Sequence, residues 1–273
     1  MSRYAAARGA DTGYAKINLA LHVRRRRNDG YHDLETLFAF LDAGDRLSCE
    51  PHHGFALESA GRFGGDDGPV EDNLVTRAAR LVHGGVLPDL RFTLSKSLPV
   101  AAGLGGGSAD AAAALRLMGA GDRHDFAATL GADVPACLAS VPVIGRGTGT
   151  ALEPVANDVE GLACLLINPL VPLPTGPVFK AWDRVDRGAM PEGSARTIML
   201  AGRNDLEAPA IGLCPVIADV LDWLATTNPL VARMSGSGAS CFAIYEDYDQ
   251  AAVVEARLRD QAPHWWMMLG RLR

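Results

Sequence analysis

Residues 99–116, PVAAGLGGGSADAAAALR, place four glycines within five positions and then run into alanine. Glycine loses the most conformational freedom on folding, so a backbone this bare is costly to order. Such a loop is retained where something must approach the backbone closely. The alanines that follow predict a helix over Ser108–Met118, stopped by Gly119, with Ser108 as its N-cap. A loop leading into a helix is a phosphate-binding arrangement. The first-turn N–H groups lack partners within the helix, and the helix dipole favours an anion there. Spacing excludes the common templates. A P-loop needs lysine after its second glycine; counted from Gly103 that glycine's place falls on Ser108, and Ala109 follows. The dinucleotide fingerprint G-x-G-x-x-G fails at the same Ser108, and counted from Gly105 it fails at Asp110. The segment reads as a phosphate loop of another kind, with a tight turn before a packed helix as the structural alternative.

The rest of the chain sets bounds. Its 273 residues are enough for one large core or two modest domains. The net charge of −6 offers no basic footprint for nucleic acid. The one basic run, Arg24–Arg27, reads as a solvated strand end, or as a positive rim around an anionic substrate. Five widely spaced cysteines with no C-x-x-C argue against a disulfide framework and a structural zinc site, and for a reducing, cytoplasmic compartment. No apolar run is long enough to cross a membrane, and the first residues lack the apolar stretch of a secretory signal. Residues 1–12 are expected to form a loose tail. The oligomeric state is left open.

Hydrophobic periodicity supplies the elements. Ala15–Val23 alternates as a strand with Lys16 and Asn18 on its polar side, and Asn28–Gly30 marks a turn. Strands are expected at Leu34–Leu41, Arg46–Glu50, Leu90–Leu94, Val141–Gly147, Leu162–Ile167, Ser240–Tyr245 and from Trp265 onward. Helices are expected at Asn73–His83, Phe126–Leu130, Pro135–Ala139, Val178–Trp182, Pro215–Ala225 and Tyr248–Arg259, with loops at Gly61–Pro69 and Arg187–Arg196. Strands and helices mix without a regular βαβ period, so the fold class is α+β. Character changes near 155–160, which divides the chain into domains of residues 1–155 and 156–273.

Several segments carry a resemblance. The pattern P-x-x-x-G-L-G-x-x-S, Pro99 to Ser108, resembles the ATP loop of the GHMP kinases. AKINLALHV at 15–23, DGYHDLETLF at 29–38, LGADVP at 130–135 and MSGSGASCFAIY at 234–245 resemble further GHMP segments in the same order. The triple glycine Gly105–Gly107 narrows the likeness to the branch that phosphorylates a cytidine-diphosphate methylerythritol on the non-mevalonate isoprenoid route. The likeness runs from about residue 13 to the end.

This resemblance implies a two-domain GHMP kinase fold, with a ribosomal-S5-like N-terminal half and a ferredoxin-like C-terminal half. It implies that ATP and a small cytidine-bearing polyol are the ligands, with no nucleic acid or membrane partner. Asp133 is then the general base, although its local pattern alone reads as a helix cap. Lys16 is the cation beside it, and Asn18 holds the polyol. Tyr31 and Phe179 stack on opposite faces of the cytosine, His32 reads its edge, and Thr175 fixes the cytidine end; Phe179 otherwise reads as core. ATP is held by Pro99, Val100, Ala101, Ala102, Gly103, Leu104, Gly105, Gly106, Gly107, Ser108 and Ala109, with Asn73 and Lys96 on the adenosine side. No carboxylate cluster suggests a resident metal site, so Mg²⁺ is expected to arrive with ATP, met by Ser108. NDLE at 204–207 is read as structural. Two departures from the family pattern are Tyr14, where proline is usual, and Ala136-Cys137, where bulkier residues are common.

Overall fold

The computed structural model describes residues 8–65 and 68–273. The expected tail therefore lies partly outside the described residues, and so does part of the 61–69 loop. Gly9–Thr12 are already strand, which corrects the tail reading for those positions. The chain forms two compact units, neither of which is a continuous stretch. One gathers the described residues up to Lys16 with Ala43–Val100 and Gly105–Ser140. The other gathers Ile17–Asp42, Ala101–Leu104 and Val141–Arg273.

In the first unit, β1 (Gly9–Arg26) and β2 (His32–Pro51) contribute their outer ends. The end of β2 pairs antiparallel with β4 (Leu90–Lys96), from Arg46 opposite Ser95 to Pro51 opposite Leu90, after β3 (Ala56–Gly61) and α1 (Leu74–Val82) have intervened in the chain. Strand β3 pairs parallel to β4. Helices α2 (Gly106–Leu117) and α3 (His124–Leu130) pack with α1, and α4 (Val134–Ala139) packs on α2 and α3. Helix α1 is amphipathic, burying Val75, Ala78, Ala79 and Val82 at helical spacing. Helix α2 is different: Ala109 through Leu115 are all buried, and a helix enclosed on every side in this way needs small side chains to let its neighbours approach.

The expected strands at 34–41 and 46–50 are one continuous strand, β2. Gly44 looks like a break in sequence, but a Cβ there would lie 2.0 Å from the carbonyl oxygen of Gly13. Glycine is present because β1 passes against β2 at that point, and the strand runs straight through.

In the second unit, the opening half of β2 pairs with β5 (Val143–Gly147), and β5 with β6 (Ala151–Pro154). A separate four-stranded antiparallel sheet has the order β10 (Trp266–Arg271), β7 (Ala163–Asn168), β9 (Cys241–Tyr245), β8 (Val231–Met234). All six residues of β7 are buried, as its continuous apolar run requires. Helices α8 (Val216–Ala225) and α9 (Tyr248–Gln261) pack on this sheet. They close a core that includes Leu165, Ile167, Tyr245, Val220, Leu224 and Leu258. Helix α5 (Thr175–Ala181) starts three residues before its expected position. Two short helices, α6 (Ala195–Ala201) and α7 (Glu207–Leu213), stand where sequence periodicity gave no signal. The architecture is α+β, as expected.

Candidate functional site

In the first unit, the Lys16 ammonium on β1 lies 3.3 Å from Asp133 Oδ2. The lysine side chain is 6% exposed and the aspartate 36%. Asp133 occupies the N-cap position of α4, with Pro135 in the first turn, but its carboxylate makes no capping bond. It faces the lysine instead. Gly105 packs against that lysine: a Cβ there would lie 3.1 Å from Lys16 Cε. Gly105 also has φ +66°, a left-handed conformation that glycine adopts without strain.

That conformation moves the helix start. Helix α2 opens at Gly106, so Gly105 is the N-cap and Ser108 is the third helical residue, not the cap expected from sequence. The N–H groups of Gly106, Gly107 and Ser108 precede the first helical bond, from Ala109 N to Gly105 O at 2.8 Å. Three first-turn donors thus follow Gly105, the residue packed against the Lys16 side chain. Among the described residues, no cluster of three or more His, Cys, Asp or Glu side chains is placed to hold a metal.

Lys96 is placed directly beneath this helix start, 3% exposed. Its ammonium donates to Asp45 Oδ2 and to Asp110 Oδ2, the latter at 2.8 Å. Asp45 Oδ1 in turn accepts from Ser97 N at 2.6 Å and Leu98 N at 2.8 Å. A Cβ on Gly106 would lie 3.4 Å from Lys96 Nζ. Burial pushes the Asp110 carboxyl up to about 7, against the pull of Lys96 and with Asp45 adding to the rise. Burial opposes the charge on Lys96, but Asp110 and Asp45 outweigh it and hold the ammonium more basic than usual. Asn73 caps α1, its Oδ1 accepting from Val75 N at 2.9 Å. Pro99 and Ala109 are buried and Val100 is exposed.

The remaining loop residues, Ala101–Leu104, belong to the second unit. Ala101 is left-handed at φ 54°. Ala102 and Leu104 are buried, and a Cβ on Gly103 would lie 2.9 Å from the backbone oxygen of Ser235. The MSGSG turn at 234–238 therefore meets Gly103 of the glycine-rich loop, backbone against backbone.

The second unit also contains a cavity of about 370 Å³ lined by Tyr31, His32, Thr175 and Phe179 among others. The His32 and Phe179 rings are 4.9 Å apart and tilted by 35°, and Trp182 meets His32 edge-on at 5.7 Å. Tyr31 stands 67% exposed at the rim. His32 is buried, which lowers its pKa, with Arg26 adding to the effect. Thr175 Oγ1 is 3.0 Å from Ser237 Oγ. Asn18 is buried in the same unit: its Nδ2 donates to Thr36 Oγ1 at 2.7 Å and its backbone N–H to Ser235 Oγ at 3.2 Å.

Residues 73–140 match the model for the GHMP kinases N terminal domain, and 189–264 that for the GHMP kinases C terminal. A relative from Novosphingobium aromaticivorans, a 4-diphosphocytidyl-2-C-methyl-D-erythritol kinase, is 54% identical over 96% of this chain and 92% of its own. The kinase of the same name from Erythrobacter litoralis is 52% identical over 96% of this chain and 99% of its own. The chain belongs to the 4-diphosphocytidyl-2-C-methyl-D-erythritol kinases. A crystal structure of a 4-(cytidine 5'-diphospho)-2C-methyl-D-erythritol kinase superposes with a TM-score of 0.81 at 34% identity, covering 97% of this chain and 99% of that one. A homoserine kinase from Cytophaga hutchinsonii, 18% identical with a TM-score of 0.65 over 95% of each chain, shares the GHMP fold.

For this kinase, two supports of the site were not legible as such in the sequence, and a third, NDLE, was read as structural. Arg116, in the last turn of α2, donates to Asp11 at 2.8 Å, to the Thr12 carbonyl at 2.8 Å and to the Cys137 carbonyl at 3.1 Å. It ties the strand carrying Lys16 to the helix that follows Asp133. Its guanidinium also lies over Tyr14, 5.6 Å from the ring centre, which gives that departure from the family pattern a packing role. In the second unit, Asn204 Nδ2 donates to Met234 O at 2.7 Å and Gly236 O at 2.8 Å, while Glu207 accepts from Met234 N at 2.9 Å. NDLE thus has the structural role read for it, pinning the glycine turn. Arg233 is the other support not legible in sequence: half-buried, it donates to the carbonyls of Met199 and Gly202. The signal for Arg116 was a basic residue at a helix C-terminus, a pattern too common to single out.

Proposed function

We propose that this kinase transfers the γ-phosphoryl group of ATP to the 2-hydroxyl of 4-diphosphocytidyl-2-C-methyl-D-erythritol, a step in isoprenoid precursor biosynthesis. The observation that carries this reading is the Lys16–Asp133 pair set against Gly105, where the first-turn donors of α2 emerge. Asp133 accepts the proton of the substrate hydroxyl as its oxygen bonds to the γ-phosphorus. The bond from that phosphorus to the bridging oxygen breaks, and ADP leaves with the electron pair. Lys16 holds the Asp133 carboxylate in place and offers positive charge to the transferring group. The N–H groups of Gly106, Gly107 and Ser108 cradle phosphate oxygens. No covalent enzyme intermediate is needed, because positioning and electrostatics carry the barrier reduction.

Mg²⁺ bound with ATP neutralises phosphate charge, and the Ser108 hydroxyl, an oxygen donor in the first turn of α2, is the side chain suited to it. Tyr31, His32 and Phe179 take the cytosine, with Thr175 at the ribose end. Asn73 and the loop residues Pro99 to Ala109 surround the nucleotide. Lys96 acts from beneath the loop, since Asp45 and Asp110 occupy its ammonium. Asn18, with its amide nitrogen on Thr36, stiffens β1 two residues beyond Lys16. We assign the reaction to the cytoplasm, in keeping with five free, buried cysteines and, among the described residues, no helix long and apolar enough to cross a membrane.

The test is ADP release with a substrate panel. The cytidine compound should be turned over, with the new phosphate on its 2-hydroxyl by phosphorus NMR. Turnover of mevalonate or homoserine instead would overturn the assignment. Asp133→Asn should lower kcat by about 10²- to 10⁴-fold while ATP still binds; wild-type kcat in that variant would remove Asp133 as the base.

A further inference from the structure

Four consecutive arginines, Arg24–Arg27, close β1 and enter the turn before β2. Three of them are matched to carboxylates within the second unit. Arg24 meets Asp186 at 3.0 Å and Glu35 at 3.3 Å. Arg25 meets Asp33 at 2.6 Å. Arg27 meets Asp29 at 2.9 Å and Asp33 at 3.2 Å, and its backbone N–H closes the turn onto the Tyr31 carbonyl at 2.8 Å. These pairs anchor the turn and consume the charge of the arginines that make them.

Arg26 differs from its neighbours. It has no carboxylate partner among the described residues, and it lines the 370 Å³ cavity beside Tyr31, His32 and Phe179. A second cation, Lys180, lines the same cavity, and no Asp or Glu does. In a chain of net charge −6, a carboxylate-free wall with two unmatched cations beside aromatic rings is a local reversal of sign. Aromatic rings suit a planar base, and a guanidinium suits a phosphate, which it binds through two parallel N–H bonds. The two together suit a nucleotide more than a nucleoside. Arg26 is also felt by His32, whose protonation it opposes, so the cation and the ring share one environment.

We propose that Arg26 binds the diphosphate of the cytidine substrate, so that this cavity selects a nucleoside diphosphate over the bare nucleoside. The assignment rests on the cytidine reading given above. It separates the roles within the arginine run: Arg24, Arg25 and Arg27 hold the turn, and Arg26 is presented by it.

Isothermal titration calorimetry with cytidine and with cytidine 5'-diphosphate, run on wild type, Arg26→Ala, Arg26→Lys and Arg257→Ala, tests it. Arg26→Ala should weaken cytidine 5'-diphosphate by about tenfold or more and leave cytidine within about twofold. In steady-state kinetics it should raise KM for the cytidine substrate and leave kcat and the KM for ATP in place. Arg26→Lys should recover part of the loss, because charge returns without the fork. Arg257→Ala, which removes an exposed arginine outside the cavity lining, should behave as wild type toward both ligands. Equal weakening of both ligands by Arg26→Ala, or none of either, would overturn the proposal. If wild type turns over the cytidine substrate and Arg26→Ala keeps its KM, the proposal alone fails. If wild type neither binds cytidine 5'-diphosphate nor consumes ATP with the substrate, the cytidine reading fails and takes the proposal with it.

Discussion

Asp133 stands at the cap of α4, yet its carboxylate turns to the Lys16 ammonium 3.3 Å away. A residue favoured at caps has given up the capping bond, and a bond left unmade costs stability. That exchange suits the general base proposed for Asp133, held in place by a cation. His22 shows the opposite economy, with every polar atom used. The Arg203 N–H can only donate, so His22 Nε2 must accept at 3.2 Å; Nδ1 then carries the proton and donates to Gly188 O at 3.3 Å. A second proton would set one N–H against another. Burial lowers the pKa of this imidazole from 6.5, with Arg203 adding to the shift. The sign follows: the unfolded chain takes up the proton first, so the contribution of His22 is whole above 6.5 and is lost as pH falls below it. The Tm gap between wild type and His22→Gln should be widest at pH 7 to 8 and narrow toward pH 5, by calorimetry. A gap constant across that range would show that His22 binds its proton alike in the folded and unfolded states.

Helix α2 is held by charge at both ends, though its sequence is mostly alanine. Lys96, Asp45 and Asp110 lie beneath its first turn, and Arg116 leaves its last. Lys96→Met would bury two carboxylates without their cation, a change that costs roughly 3–5 kcal/mol. Urea unfolding should report that loss, and adding Asp110→Asn should restore part of it by removing one of the stranded charges. A loss below about 1 kcal/mol would mean that the triad is solvated. The regular elements here were legible because burial imposes a period: α1, β7, α8 and α9 fall within a few residues of their expected bounds. The failures have physical causes. Gly44 imitates a break but answers a steric demand from Gly13, a residue 31 positions away that no local window contains. Helix α2 starts two residues early because Gly105 turns left-handed, and a sequence offers Ser108 as the better cap. Helices α6 and α7 span seven residues each, too short for a period to emerge. For the candidate site, Lys16, Asp133 and the loop were legible through motif order, and the pair is found in contact. The burial of Lys96 and the tie made by Arg116 depend on partners scattered along the chain, so no motif announced them.

At the scale of the whole molecule, the chain is a member of a kinase family by identity along nearly its full length, and its two units each carry part of the machinery proposed for it. All five cysteines are free and buried. Burial pushes the Cys49 thiol up to about 11, with Glu50 adding to it, and pushes Cys137, Cys164, Cys214 and Cys241 up as well. Thiolate, the reactive form, is therefore scarce in the native state. A colorimetric thiol reagent should react slowly with the native protein and count five groups in denaturant; rapid native labelling of any one would mark a site that opens. The backbone passes between the units at 16/17, 42/43, 100/101, 104/105 and 140/141. Four residues, Ala101–Leu104, are all that one passage contributes, and they lie inside the loop proposed to hold phosphate. Neither unit can be excised at a single cut, and neither can be exchanged for a relative's by one recombination event.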